Sequence, residues 1–504
     1  MSLKETWEPL TAKLFSTYKT YQTMKQKLIL SAALLSFVFV KAQTTIVEDT
    51  YQKDNKPVAY DYLSKNHKIV IYKGKKIGGM VAGSQTNSIY SYDLSGTKTT
   101  ILENEKLYQC GFSNSEKTLR VFDISDGIFK TSQKYLVDGK FTKPVIIDQS
   151  NAYRRYFPYY DNFTDKNEIK LTNQYNKTDI DFAKDNLNLS VVDISTRKNK
   201  NFKLDKPNTA RLLSGGLVKP AEKLGLKYRF NNDESFDFIT KSIASDYSKT
   251  TLYKTTYSLL DGKVSSDIPF ELSLTGNYFI YSNNDGGYTD TPANRGQPFF
   301  DDDLSINNYI TDQSTGDVYV YGLYSDKPAA LNKEVSPKGY YVFKFDKTGK
   351  KLWESVNKIE DKDLNGKHYM YYTSTDLSIL NDKLCFYAFV NENSEYLDYG
   401  MLDKNSGSQV KANKIVFHEY ESRTGTGSDF FKLDYEYKNI KELKNKKFNI
   451  KGIIAYELND KFSNYVKNVK IKGETHFLTL FTDIGLMVVE TDNDNYYKVT
   501  HFKD

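Results

Sequence analysis

Short apolar runs alternate with polar turns along most of this chain. Residues 88–92 (SIYSY) alternate polar and apolar side chains and are followed by residues 93–96 (DLSG). A period of two predicts a β-strand that buries one face, and Asp and Gly in the interruption predict a tight turn. Comparable runs occur at residues 69–72, 119–125, 189–195, 257–260, 277–281, 384–390, 477–481 and 486–489.

No Pro/Gly/Ser-rich linker divides residues 44–504, so we expect one large domain. The 41 Tyr and 30 Phe residues favour strands over helices. Helical periodicity is rare, and residues 437–447 (YKNIKELKNKK) are the best helix candidate. Short strands of this kind, spaced by turn signals, indicate an all-β sandwich, barrel or propeller.

Residues 316–356 form the clearest repeating unit. A strand is predicted over residues 318–324, with its Val and Tyr side chains on opposite faces, and a second strand over residues 339–345. Residues 346–350 (DKTGK) predict a tight turn, in which Asp bonds back to the backbone and Gly supplies the left-handed residue. The chain then returns as an outer strand that contains Trp353.

This unit resembles the repeat of bacterial seven-bladed β-propellers of the SBBP type, in which a strand and a loop precede YV-K-D-x-x-G and then Trp. It is also similar to the quinoprotein-type propeller repeat. Its Asp-to-Trp spacing is one residue short of that family's tryptophan-docking motif, so no quinone cofactor is carried over. Degenerate versions of the same turn occur at Asp93/Gly96, Asp261/Gly262 and Asp403/Gly407.

The resemblance implies an all-β chain folded as a single β-propeller. Because a four-stranded blade takes about 40–70 residues, the chain after residue 42 accommodates about seven blades, with six to eight allowed. In a closed ring, an N-terminal strand near residues 44–48 would pair with the last blade, over residues 477–502. The alternative fold is a pair of β-sandwich-like domains.

Residues 24–42 (MKQKLILSAALLSFVFVKA) predict export. Lys25 and Lys27 precede an uncharged run, residues 28–40, and Val40 and Ala42 place β-branched and small side chains at the positions that a signal peptidase reads before Gln43. This is the order of a secretory signal peptide, and the run is shorter than the roughly 20 residues of a transmembrane helix. Residues 1–23 are then an upstream extension with Met24 as the start, unless the extension is genuine and turns the segment into an anchor.

We therefore expect a soluble propeller over residues 44–504, located in the periplasm, at the cell surface or outside the cell. The Ala42-Gln43 junction and the Lys-, Asn- and Tyr-rich composition resemble exported proteins of the Bacteroidetes. The first 42 residues carry six Lys and two acidic residues, which leaves a net charge of about +2 for the remainder. That balance gives no electrostatic case for a nucleic-acid partner. We expect Cys110 and Cys385 to be buried free thiols rather than a disulfide.

Residues 153–163 (YRRYFPYYDNF) have the most unusual local composition. Aromatic faces stack on sugar rings or peptides, and Arg offers planar donors to anions. The alternative is a strand whose alternate rings pack between blades. The candidate ligand-binding residues are Tyr153, Arg154, Arg155, Tyr156, Tyr159 and Tyr160.

Residues 283–303 (NNDGGYTDTPANRGQPFFDDD) form an acidic, glycine-bearing stretch. Calcium takes about six to eight oxygen ligands, which a folded loop of this composition supplies. The spacing fits no EF-hand, and a solvated surface loop is the alternative. The candidate calcium ligands are Asp285, Asp290, Asp301, Asp302 and Asp303.

The sequence contains no HExxH, GxSxG, Walker or GxGxxG motif, so we nominate no catalytic residue. We predict a monomeric, non-catalytic binding or scaffold protein whose partner is a glycan, a peptide or another envelope protein. The alternative is a glycoside hydrolase, in which two carboxylates in one pocket act as acid and as nucleophile or base. A third class is a structural component of an envelope assembly, which would expose a flat apolar patch.

Overall fold

A computed structural model describes most strands of the chain. The described residues are 43–52, 55–77, 83–105, 107, 109–113, 115–124, 130–148, 162–173, 175, 186–205, 228–230, 234–243, 249–273, 278–280, 308–312, 314–325, 334–335, 337–359, 368–369, 373–391, 395–417, 419–421, 430–432, 443, 445–469, 473–492 and 495–503. Their sheets form seven blades in a ring, which confirms the predicted single all-β propeller and its blade number.

Blades 1 to 3 follow the first strand, β1 (Gln43–Thr50). Blade 1 contains β2 (Lys56–Leu63), β3 (Lys68–Ile77), β4 (Gly83–Tyr92) and β5 (Lys98–Leu102). Blade 2 contains β6 (Gln109–Phe112), β7 (Leu119–Ile124), β8 (Lys130–Val137) and an outer strand in two pieces, β9 (Lys140–Phe141) and β10 (Val145–Asp148). Blade 3 contains β11 (Asn162–Phe163), β12 (Asn167–Asn173), β13 (Leu187–Asp193) and β14 (Asn199–Lys203).

Blades 4 to 6 repeat this order. Blade 4 contains β15 (Tyr228–Phe230), β16 (Ser235–Ile243), β17 (Lys249–Ser258) and β18 (Val264–Ser273). In blade 5, β19 (Tyr278–Ile280) and β20 (Asn308–Thr311) both pair with β21 (Val318–Ser325), followed by β23 (Gly339–Phe345) and β24 (Lys351–Lys358). Blade 6 contains β26 (Thr373–Leu380), β27 (Lys383–Asn391), β28 (Glu395–Asp403) and β29 (Gln409–Phe417). Two short strands, β22 (Glu334–Val335) and β25 (His368–Tyr369), pair with each other.

Blade 7 closes the ring with strands from both ends of the chain. It contains β33 (Thr475–Thr482), β34 (Gly485–Asp492) and β35 (Tyr496–Phe502), and β1 is its outermost strand, with Gln43 opposite Phe502. This pairing confirms the predicted closure. On its inner side, β33 pairs in parallel with β32 (Lys446–Phe448), which is followed by β31 (Phe430–Lys432) and β30 (Glu419–Glu421).

The apolar core is divided among the seven blade–blade interfaces. Alternate residues of one strand serve two neighbours, because successive side chains point to opposite faces of a sheet. In β3, Ile69 and Ile71 pack against blade 7, whereas Val70 and Tyr72 pack towards blade 2. In β21, the Val and Tyr residues divide in the same way between blades 4 and 6, as predicted, and every residue of this strand is buried.

The first strands of neighbouring blades lie against each other, β11 with β15, β20 with β26 and β26 with β33. They therefore line the central channel, and the fourth strands form the rim of the ring.

Two short helices form a wedge between blades 6 and 7: α1 (Ile450–Leu458) and α2 (Asp460–Asn468). Asn449 caps α1 by accepting a hydrogen bond from the Gly452 amide, and Asn459 caps α2 by accepting one from the Phe462 amide. Most of the helix predicted over residues 437–447 lies outside the described residues, and the prediction is wrong at its end, because Lys446 and Lys447 belong to strand β32. No helix of the described chain is long and apolar enough to span a membrane.

The Asp–Gly turns join the third and fourth strands of a blade and lock that blade to the one before it. In blade 5, the Asp346 carboxylate accepts hydrogen bonds from the amides of Thr348 (2.8 Å) and Lys350 (3.1 Å). Gly349 has a φ of +88°, and a Cβ there would lie 2.5 Å from Ile268 Cγ2 of blade 4. Only glycine combines this backbone conformation with so close an approach.

The same contact, in which the turn glycine packs closely against the preceding blade, recurs at three other blade boundaries, and we call it the Asp–Gly lock. A Cβ on Gly96 would lie 2.6 Å from the Ile46 carbonyl oxygen, one on Gly262 would lie 2.7 Å from Phe202 Cβ, and one on Gly407 would lie 2.5 Å from the Trp353 ring. Each contact is made to the outermost strand of the preceding blade. Between blades 5 and 6, the Gly407 turn of one blade and Trp353 of the other are therefore the two sides of one contact.

Candidate functional site

The two segments predicted as binding sites lie outside the described residues. The six aromatic and arginine candidates, residues 153–160, fall between β10 and β11, and the five calcium candidates, residues 285–303, fall between β19 and β20. The described residues at their ends show where each segment joins the ring.

The acidic segment interrupts the inner strand of blade 5. Ile280, the last residue of β19, lies opposite Leu323, and Asn308, the first residue of β20, lies opposite Tyr321. The two strands are thus halves of one inner strand. Residues 281–307 leave and re-enter the ring at the wall of the channel.

The aromatic segment joins two different blades. Asp148 ends the outer strand of blade 2, and Asn162 begins the inner strand of blade 3. Because the strands of a blade alternate in direction, these two ends lie on the face of the ring opposite the Asp–Gly turns. We call this face the loop face and the other the turn face.

An acidic side chain of blade 1 lies on the channel wall. Asp61 is exposed although it belongs to the inner strand β2, and it accepts a 2.6 Å hydrogen bond from the hydroxyl of buried Tyr72. Burial by the surrounding wall raises the pKa of Asp61, and the Tyr72 hydrogen bond offsets part of that rise. The neighbouring Cys110 thiol has a raised pKa because of burial and of the Asp61 charge.

A second acidic side chain lies on the inner strand of blade 6. Asp376 forms a 3.1 Å ion pair with Lys451 Nζ, in the first turn of α1. It also accepts a 3.3 Å hydrogen bond from Ser378 Oγ and is hydrogen-bonded by Tyr387. Burial raises the pKa of the adjacent Cys385 thiol, against the opposing effect of the Lys451 ammonium. Asp376 is therefore already held by cationic and hydroxyl partners from this chain.

Each of the two cysteines thus lies beside an Asp–Tyr pair near the channel. Both are free, as predicted, with Cys385 buried and Cys110 partly buried. A thiol with a raised pKa is a poor nucleophile, because the reactive species is the thiolate. These cysteines pack the wall and do not suit covalent catalysis.

Two described carboxyl groups have a raised pKa, Asp61 and Glu490. Glu490, the other carboxyl group with a raised pKa, lies between blade 7 and α2, where burial raises its pKa and the Tyr465 hydroxyl donates to it. Asp61 and Glu490 are thus each paired with a tyrosine of this chain. Among the described residues, no group of three or more His, Cys, Asp and Glu side chains could hold a metal ion.

Sequence reasoning missed Asp61 and Asp376. The available signal was an acidic residue in the middle of an apolar strand, as in residues 60–62 (YDY) and 375–377 (TDL). Alternation predicts such a residue for the solvent face of an ordinary sheet. In a propeller both sheet faces are covered by neighbouring blades, and the inner strand meets solvent only at the channel.

Carboxylates on the turn face join neighbouring blades. Asp165 of blade 3 accepts hydrogen bonds from Ser113 Oγ (2.6 Å) and Ser115 Oγ of blade 2. Burial alone would raise the pKa of Asp165, but these hydroxyl donors outweigh it and leave the pKa lowered. Glu116 of blade 2 accepts a 3.1 Å bond from the Lys65 amide of blade 1 in the same way. These hydrogen bonds join neighbouring blades at the turn face.

The comparisons with known proteins assign no family to this chain. No family model matches the chain, and no curated protein matches it. Similar solved structures include an uncharacterised protein from Listeria monocytogenes, with 11% identity, a TM-score of 0.34, and coverage of 77% of this chain and 93% of that chain. The β-propeller domain of the Trilobed protease from Pyrococcus furiosus, described as having an open velcro topology, has 9% identity, a TM-score of 0.29, and coverage of 76% and 90%.

Prolyl oligopeptidase B from Galerina marginata has 11% identity and a TM-score of 0.34, and the match covers 75% of this chain and 47% of that chain. Similarity at these levels carries no argument about function. The seven-bladed ring itself is established by the strand pairing.

Proposed function

We propose that this protein is an exported, soluble β-propeller that binds a ligand at its loop face and channel without transforming it. The observation that carries this proposal is that most of the acidic side chains described above are already paired with other groups of this chain. Asp376 is paired with Lys451, Glu490 with Tyr465, and Asp165 with hydroxyl groups of the next blade. These groups stabilise the scaffold, whereas an acid–base mechanism needs carboxylates that are free to meet a substrate.

The rigidity of the ring supports a binding role. The turn face is fixed by the Asp–Gly locks and by hydrogen bonds between blades. Longer connections, which include residues 149–161 and 281–307, join the ring at the loop face or the channel wall. A rigid scaffold that presents variable loops is a common arrangement for recognition.

The proposed ligand is a glycan or an extended peptide held by the aromatic segment, with Tyr156 and Tyr159 as stacking platforms. Calcium bound by residues 285–303 would link the carboxylates of the acidic segment, whose two ends join the channel wall. Both sites follow from composition and from where the segments join the ring.

Export is part of the proposal. Cleavage after Ala42 would leave β1, which begins at Gln43, complete. The mature protein would then retain the whole closing strand. N-terminal sequencing of the protein recovered from its native host is expected to give QTTIVED, and an N-terminus upstream of residue 24 would contradict export by this signal.

The test of binding is a thermal-shift scan of the protein comprising residues 43–504 against oligosaccharides, peptides and calcium with a chelator control. A ligand at 100 times its Kd stabilises the fold by about 2.7 kcal/mol, which raises the Tm measurably. Tyr156→Ala with Tyr159→Ala is expected to abolish a glycan or peptide shift. The matched control is Leu260→Ala, an exposed side chain in the β17–β18 turn on the opposite, turn face, which is expected to keep it. A shift that survives the double change would contradict the aromatic site.

A glycoside hydrolase is the second candidate, and one observation favours it. Asp61 is open to the channel and has a raised pKa, which is a property of a general acid. Its partner carboxylate would then come from the segments that join the wall. Asp61→Asn is expected to abolish any hydrolysis on this alternative and to leave ligand binding intact.

A further inference from the structure

The rim of the ring exposes apolar side chains on one side. Seven large apolar side chains are exposed among the described residues, and five belong to blades 4 to 6: Leu260, Val264, Leu352, Val356 and Val410. Strand β24 is distinct, because it is the outermost strand of the described chain that exposes two of them, Leu352 at 46% and Val356 at 42%.

The exposure of Leu352 and Val356 follows from the register of blade 5. Trp353 lies opposite Lys344 and faces blade 6, where it packs beneath the Gly407 turn. Val356 therefore faces the other way. Leu352 is the extra residue of a bulge, between Lys351 opposite Phe345 and Trp353 opposite Lys344, and it is exposed four positions before Val356.

The outer edge of β24 has no strand partner among the described residues. Within the described chain this strand pairs with β23 alone, from Lys351 to Lys358. An unpaired strand edge presents a row of N–H and C=O groups that another extended chain can use.

The positive charge around β24 favours an acidic partner. Lys347, Lys350, Lys351 and Lys358 are exposed on this strand and its turn. Glu354 is engaged by Lys351 at 2.5 Å, and Asp346 is engaged by its own turn. Pairing with a second copy of β24 would set lysines against lysines. An acidic segment would meet complementary charge.

We propose that the β24 edge receives an extended, acidic peptide segment of a partner protein by strand addition. Backbone hydrogen bonds to the edge supply affinity, apolar side chains of the segment lie beside Leu352 and Val356, and its carboxylates meet Lys350 and Lys358. This rim surface is separate from the loop face and does not depend on the ligand bound there.

The test uses a fluorescein-labelled peptide, acetyl-EEVETEVEE, which places two valines four positions apart among acidic residues. Fluorescence anisotropy is expected to show saturable binding that weakens with salt. The variant carrying Leu352→Asp and Val356→Asp, two exposed positions, is expected to lose at least tenfold in affinity. The matched control is Val410→Asp, an exposed apolar residue of β29 at 58%, which is expected to bind as the parent does.

Three results would overturn the proposal. The first is no binding of the acidic peptide, which would leave the lysines as guards against edge-to-edge aggregation. The second is equal binding by the parent and the double variant. The third is stronger binding to vesicles of anionic phospholipid than to the peptide, which would make the surface a membrane contact. Circular dichroism of each variant distinguishes a lost site from a lost fold.

Discussion

Gly349→Ala tests whether the Asp–Gly turn locks one blade to the next. At a φ of +88° an alanine pays about 1–2 kcal/mol for the left-handed conformation. Its Cβ would also lie 2.5 Å from Ile268 Cγ2 and 2.6 Å from the Pro269 carbonyl oxygen. The backbone oxygen cannot move aside, and such overpacking costs about 1–3 kcal/mol. We expect a total loss of about 2–5 kcal/mol in the free energy of unfolding.

The matched control is Gly139→Ala, in the equivalent turn of blade 2. Gly139 also has a positive φ, +75°, but a Cβ there would meet nothing within 4 Å. This substitution should therefore cost only the conformational part, about 1–2 kcal/mol. Urea unfolding followed by tryptophan fluorescence measures both values. Equal losses in the two variants would show that the contact with blade 4 contributes nothing and would refute the lock.

Two further predictions concern the polar groups. Because the folded-state pKa of Asp165 lies below its unfolded value near 3.8, its contribution to stability is present above that pH and is lost as the pH falls through the folded pKa. Asp165→Asn should therefore lower the urea midpoint at pH 7 and reduce the dependence of that midpoint on pH in the acid range, and Asp138→Asn, in an exposed turn, is the control that should leave the midpoint at pH 7 unchanged. An unchanged pH dependence in the Asp165 variant would contradict the role of the Ser113 and Ser115 bonds. Burial raises the pKa of both thiols, Cys110 and Cys385. Both should therefore react with Ellman's reagent on the order of 100-fold more slowly in the folded protein than in urea. Fast labelling of the native protein would contradict their burial.

Much of the ring could be predicted from local sequence. Within residues 318–353, Val and Tyr alternate over residues 318–321, an Asp-x-x-Gly turn follows at residues 346–349, and the chain returns with Trp353. Each of these features has a local physical cause. The strands of this unit and the turn between them could therefore be predicted from local sequence. The closure of β1 on β35 followed from the need to pair both chain ends in a ring.

The helical wedge could not be predicted in this way. Helix α1 is buried along Gly452–Tyr456, so it lacks the one-sided apolar stripe that identifies a helix in a sequence. Strand β32 contributes only three residues and joins β33 in parallel, a pairing without a local turn signal. The insertion of these elements depends on the space between blades 6 and 7, which no local pattern records.

The contacts near the channel were also beyond local reasoning. Asp376 and Lys451 are separated by long stretches of chain and meet only because α1 enters between two blades. The sequence did point to the aromatic and acidic segments by composition. It gave no reason to expect that residues 281–307 interrupt an inner strand, because that depends on the register of β19 and β20 with β21.

The central claim is that the protein binds its ligand and releases it unchanged. The most direct measurement incubates the protein comprising residues 43–504 with the oligosaccharide or peptide that gives the largest thermal shift and analyses the recovered ligand by mass spectrometry. The account predicts saturable binding and recovery of intact ligand from both the parent and the Asp61→Asn variant. Cleaved ligand that appears with the parent and disappears with Asp61→Asn would contradict the account and establish a hydrolase.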